Sequence, residues 1–92
     1  MSEQKMQLHA VFEGRVQGVG FRYTVEKMAN VLMLVGYVKN LSDGAVEVMA
    51  AGSKKQLDLL LRQIHSHFNV RDQSISFSER VTISQKNFII AY

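Results

Sequence analysis

Val35-Gly36-Tyr37-Val38-Lys39-Asn40-Leu41-Ser42-Asp43-Gly44-Ala45-Val46-Glu47-Val48-Met49-Ala50-Ala51 sits in the middle of the chain. It reads as two strands, Val35 to Asn40 and Ala45 to Ala51, around Leu41-Ser42-Asp43-Gly44. The Asp-Gly pair supplies the positive φ that a tight hairpin turn needs. On both sides of this hairpin the apolar spacing changes to that of a helix. Upstream, Phe21, Val25, Met28, Ala29 and Leu32 predict an amphipathic helix of about three turns. Downstream, Ser53-x-x-Gln56 reads as a capping box that opens a second helix with the stripe Leu57, Leu60, Leu61, Ile64 and Phe68. Outside the helices the pattern alternates again, from Met6 to Glu13 and in Ser74-Ile75-Ser76-Phe77-Ser78. Phe88, Ile90 and Tyr92 alternate as a possible short terminal strand, and Glu79 to Asn87 reads as a loop or a bulged continuation. The order β-α-β-β-α-β with right-handed crossovers predicts an α+β, ferredoxin-like sandwich. Its sheet is expected to be antiparallel, with two helices on one face.

Ninety-two residues, 47% apolar and 21% charged, are enough for one core and too few for two, so residues 1–92 are expected to form a single domain. The longest apolar run, Val31 to Gly36, falls far short of the roughly 20 residues of a membrane span. With no cysteine in the chain, disulfide scaffolds, thiolate metal sites and thiol nucleophiles are excluded. Lacking disulfides and a signal sequence, the chain is expected to be cytoplasmic. The formal charge of +3 raises the question of nucleic acid. The charge is dispersed, however: residues 1–46 hold five Lys/Arg and four Asp/Glu, and residues 47–92 hold six and four. A mild field favouring anions is all this supports.

Between the first strand and the first helix lies Gly14-Arg15-Val16-Gln17-Gly18-Val19-Gly20. Glycines here let backbone N–H groups turn inward and let a ligand approach the main chain. Amides converging at a helix N-terminus make an anion site, and the bland alternative is a flexible connection. It is neither a Walker loop, since Phe21-Arg22 follows Gly20, nor a dinucleotide fingerprint, since Tyr23 stands where a third glycine is required. Arg22 falls in the first helical turn, where a cation opposes the helix dipole. Either it clamps an oxyanion together with the loop amides, or it points into solvent.

The segment Gly14 to Arg22 resembles the signature loop of the acylphosphatase family. Gly36-Tyr37-Val38-Lys39-Asn40 with Asp43-Gly44-x-Val46-Glu47 resembles that family's second motif. Thr82-Ile83-Ser84 and Phe88-x-x-x-Tyr92 are similar to the close of its small animal-type members. Three departures occur: Tyr37 where tryptophan is frequent, Ala91 where arginine is frequent, and no Gly-Pro after the second helix. The resemblance implies metal-independent hydrolysis of a carboxyl–phosphate anhydride, without cofactor, with a small-molecule acyl phosphate as substrate; nothing in the chain suggests a dedicated interface helix, and a monomer is expected. Inorganic phosphate would be product and inhibitor. It further implies that the backbone amides of Arg15, Val16, Gln17, Gly18, Val19, Gly20 and Phe21 cradle the phosphate. Arg22 would bind the phosphate and Asn40 would orient the attacking water.

Two other functions fit this architecture. A non-catalytic anion-binding or regulatory domain would keep the loop and lose turnover. An RNA-binding module would need aromatic side chains on its central strands, and Val46-Glu47-Val48-Met49-Ala50 has none. Elsewhere the chain offers little chemistry. His65 and His67 stand two apart on a helix and face different directions, unlike a metal pair. His9 stands alone on a strand's outer face and reads as solvated. Ser42 and Thr24 have no partnering base.

Overall fold

The computed structural model describes residues 4–14, 16, 17 and 20–92. The elements follow the expected order: β1 (Lys5–Gly14), α1 (Phe21–Val31), β2 (Val35–Asn40), β3 (Val46–Ser53), α2 (Lys54–His67), β4 (Val70–Ser78) and β5 (Phe88–Ala91). The sheet order is β4-β1-β3-β2-β5. β1 pairs antiparallel with β3 and with β4, and β2 pairs antiparallel with β3. These four strands are the antiparallel sheet expected of the ferredoxin-like fold. The terminal strand extends it as a fifth member, running parallel to β2, so the whole sheet is mixed.

A single buried cluster shows why the helices share one face. It joins Leu8, Ala10 and Phe12 of β1 and Val46, Val48 and Ala50 of β3 to Val25 and Ala29 of α1 and Leu57, Leu60 and Ile64 of α2. The period of two along the strands meets the helical period along α1 and α2, and burial of both stripes drives the sandwich. The capping box forms as read: Ser53 Oγ accepts from Gln56 N at 3.2 Å, and Ser53 N donates to Gln56 Oε1 at 3.3 Å.

The hairpin differs from its reading. Asn40 and Val46 are the last β2–β3 partners, so five residues, Leu41 to Ala45, form the connection. Only Gly44 has a positive φ there, at 93°. Asp43 instead uses its side chain, Oδ1 accepting from Ala45 N at 3.0 Å, which is the turn chemistry an aspartate favours.

Gly36 is set by its neighbours as well as its φ of 138°: a Cβ there would lie 1.9 Å from the carbonyl oxygen of Met49 on β3. Backbone of a paired strand cannot yield. Gly36→Ala is therefore expected to destabilise the fold by ~2–4 kcal/mol, combining strained φ with overpacking. A urea midpoint unchanged from the parent chain would contradict this.

On the face away from the helices, His9 is not solitary. Val11 and Glu47 are direct cross-strand partners, which puts His9 diagonally beside Glu47 on the same face. Its Nε2 lies 2.8 Å from Glu47 Oε2, and Tyr37 Oη donates to Glu47 Oε1 at 3.4 Å. Reading one strand at a time cannot reveal such a pair, because it depends on register between strands. Tyr37 is held above its ordinary value of 10.0 by desolvation first and by the Glu47 carboxylate second. A raised folded value means that ionisation is harder in the folded chain than in the unfolded one. This contribution is complete below pH 10.0 and is lost as the pH rises beyond it. Tyr37→Phe is expected to flatten the alkaline fall in unfolding free energy; equal slopes for the two proteins would refute the assignment.

Candidate active site

Topology brings two strand ends together. β1 and β2 are both antiparallel to β3, so both finish at the same end of the sheet. Phe12 and Asn40 are each register partners of Val46. Gly36, Val38 and Asn40 alternate on the helix side of β2, so Asn40 ends that strand beneath the start of α1. Ile90 of β5 is the partner of Val38, which carries the edge of the sheet to the same place. The result is a hollow of about 160 Å³ lined by Val16, Gly20, Phe21, Arg22, Tyr23, Asn40 and Ile90.

The described part of the glycine-rich loop is anchored. Val16 is fully buried, and Phe21, the first residue of α1, is 1% exposed. The Phe21 ring packs on Phe12 at 5.7 Å and on Phe68 at 4.8 Å between centroids, tying the loop's exit to β1 and α2. Gly20 is the N-cap of α1 with φ 78°, a left-handed conformation that a side chain would strain although nothing crowds the position. Of the amides expected to cradle phosphate, Val16, Gln17, Gly20 and Phe21 are described. Arg15, Gly18 and Val19 lie outside the described residues.

Of the described residues that line the hollow, Arg22 alone is charged. α1 carries no acidic residue in its first turn and no side-chain cap. Arg22 is half-buried there, and among the described residues no carboxylate pairs with it. Its guanidinium carbon lies 5.2 Å from the centroid of the Tyr92 ring. Among the described residues this cation at a positive helix end meets an aromatic face and no carboxylate, an arrangement that suits an anion. Beside it, Tyr23 is 56% exposed with Lys27 Nζ 4.7 Å from its ring centroid. The Tyr23 hydrogen bond, then its charge, hold Lys27 above its ordinary value.

Asn40 contributes the opposite feature. Its Oδ1 is buried and, among the described residues, has no hydrogen-bond partner. Buried acceptors are nearly always satisfied, and leaving one unpaired costs about 1–3 kcal/mol. A buried acceptor without a described partner, on a residue that lines the same hollow as a guanidinium without a described carboxylate, is a local rule broken where a ligand would mend it.

The structure also gives side chains roles that the sequence does not announce. Gln17 Nε2 donates to the carbonyls of Leu41 and Ala45, and Tyr92 reaches Arg22. The C-terminal alternation of Phe88, Ile90 and Tyr92 was the signal for the second; nothing local signals the first. At the far end of the sheet, Gln7 Oε1 accepts from the Thr82 and Ile83 amides, which fastens the β4–β5 connection to β1. His65 meets Gln73 and His67 Nδ1 donates to Gln63 O, so the two rings go separate ways.

The sandwich is a ferredoxin-like α+β scaffold with the hollow at one end of its sheet. The acylphosphatase family profile matches residues 8–90, and the chain belongs to that family. It is similar to the acylphosphatase of Acaryochloris marina (strain MBIC 11017), 54% identical over 54 residues, covering 59% of this chain and 58% of that protein. The acylphosphatase of Paenarthrobacter aurescens (strain TC1) is 42% identical over 66 residues, covering 72% of this chain and 70% of that one. Among solved structures, the acylphosphatase of Bacillus subtilis superposes with a TM-score of 0.88 at 36% identity, covering 95% of this chain and 99% of that one.

Proposed function

We propose that this chain hydrolyses acyl phosphates to a carboxylate and inorganic phosphate. The observation that carries the reading is the buried Oδ1 of Asn40, which has no hydrogen-bond partner among the described residues, on a residue that lines the same hollow as Arg22 and the start of α1. In this reading the amides of residues 15–21 and the Arg22 guanidinium hold the phosphate oxygens. Asn40 Oδ1 accepts a hydrogen bond from a water and aims its oxygen at phosphorus. As the water oxygen bonds to phosphorus, the bond from phosphorus to the acyl oxygen breaks and the carboxylate leaves with its electron pair. A side-chain amide is too weakly basic to take the water's proton, so a phosphate oxygen accepts it. Phosphoryl transfer asks mainly for position and for stabilised charge on the equatorial oxygens, which this set provides. The carboxylate is a good leaving group and needs no strong acid. Residues 1–92 act here as one catalytic unit, without metal or cofactor.

Acetyl phosphate, followed by release of phosphate from the exhaustively chelated protein, tests the reading. Undiminished turnover is expected, with inorganic phosphate inhibiting competitively and shifting amide resonances centred on residues 15–22. Turnover restored only by added divalent metal would overturn the mechanism. Phosphate binding without turnover would leave the non-catalytic anion-binding domain, and shifts confined to Lys54 and Lys55 would remove the site itself.

A further inference from the structure

The two halves of the hollow come from separate parts of the chain, the glycine-rich loop and the end of β2. Among the described residues, the Gln17 side chain hydrogen-bonds from one to the other. The Gln17 amide has two N–H groups, and it directs one to Leu41 O at 3.0 Å and the other to Ala45 O at 2.9 Å. Leu41 follows Asn40 directly, and Ala45 precedes its register partner Val46. Val16, the preceding residue, is fully buried, so adjacent residues fix the loop to the core and to the hairpin.

The hairpin does not need this contact to close. Leu41 N donates to Ala45 O at 2.8 Å and Gly44 N donates to Leu41 O at 3.2 Å. Both carbonyls therefore keep a partner when Gln17 is lost. What is lost is the link between loop and hairpin. We infer that Gln17, through its side chain, is a positioning residue that sets the distance between the phosphate held by the loop and the water held by Asn40. The inference rests on the acyl-phosphate reading above.

Gln17→Met keeps the length of the side chain and removes both donors, and the retained hairpin bonds keep it folded. It is expected to lower kcat on acetyl phosphate by ~10- to 100-fold, the scale of a misplacement of about 1 Å between reacting groups. KM and inhibition by inorganic phosphate should stay within about threefold, because the loop still holds its anion. Gln17→Glu, which puts an acceptor against two acceptors, should show the same deficit. The decisive readout is the cycle with Asn40→Ala. Once Asn40 no longer places the water, Gln17→Met should change kcat by less than about threefold. Equal fold losses in both backgrounds, or full kcat in either Gln17 variant, overturn the inference while leaving the acyl-phosphate reading intact. An unsubstituted chain that releases no phosphate from acetyl phosphate overturns that reading instead.

Discussion

Arg22→Gln is expected to lower kcat/KM for acetyl phosphate by ~10³-fold or more, the scale at which arginines act in phosphoryl transfer. The guanidinium is assigned to the phosphate oxygens before and during reaction, so KM should rise as kcat falls. Stability should behave differently. The positive charge stands in the first turn of a helix that has no acidic residue there and no side-chain cap. Removing it relieves an opposed dipole of about 0.3–1 kcal/mol. It also forfeits the Tyr92 contact, which an exposed pair sets at about 0.5–1 kcal/mol. These nearly cancel, so unfolding free energy should move by less than about 1 kcal/mol while activity collapses. Rate measurements beside urea unfolding of the same preparations check both halves. A variant that keeps its rate, or that loses rate only because it has unfolded, would remove Arg22 from the site.

What the sequence disclosed follows the range of the interactions involved. Both helices are legible because their determinants lie within a few residues. The capping box spans Ser53 to Gln56, and the buried stripe of α2 recurs at Leu57, Leu60 and Ile64. The glycine-rich loop and Arg22 stand out for a similar reason, since a cation without compensation breaks a rule that one helical turn contains. Contacts between strands are another matter. That His9 meets Glu47, or that β5 lies parallel to β2, depends on register and sheet order, which alternation within one strand does not encode. β4 begins at Val70 rather than Ser74 for the same reason: Arg71, Asp72 and Gln73 are polar and exposed, and pairing with β1 makes this segment a strand. The Gln17 contact spans 24 and 28 residues and has no local pattern at all. Motif resemblance named Asn40, whereas the geometry adds a physical reason to look there.

Asn40→Ala provides the sharper separation of roles. The side chain stands on the helix side of β2, at the level where Phe12 and Val46 pair across the sheet. Among the described residues its buried Oδ1 has no partner, so truncation to alanine breaks no hydrogen bond to them. Removing an unsatisfied buried acceptor relieves a penalty of about 1–3 kcal/mol, against some lost packing. The variant should therefore be at least as stable as the parent, which is the reverse of what a structural asparagine would give. Turnover should fall by ~10²-fold or more, the loss seen when a positioned hydrogen-bonding group is removed from a reacting centre. Phosphate is assigned to the loop and Arg22, so its affinity should scarcely change. A loss expressed in kcat with binding preserved marks an interaction made chiefly in the transition state. Thermal unfolding, phosphate inhibition and kcat on acetyl phosphate from one preparation decide the matter. Near-normal kcat, or loss of phosphate binding in Asn40→Ala but not in Arg22→Gln, would show that the roles given to these two residues are wrong.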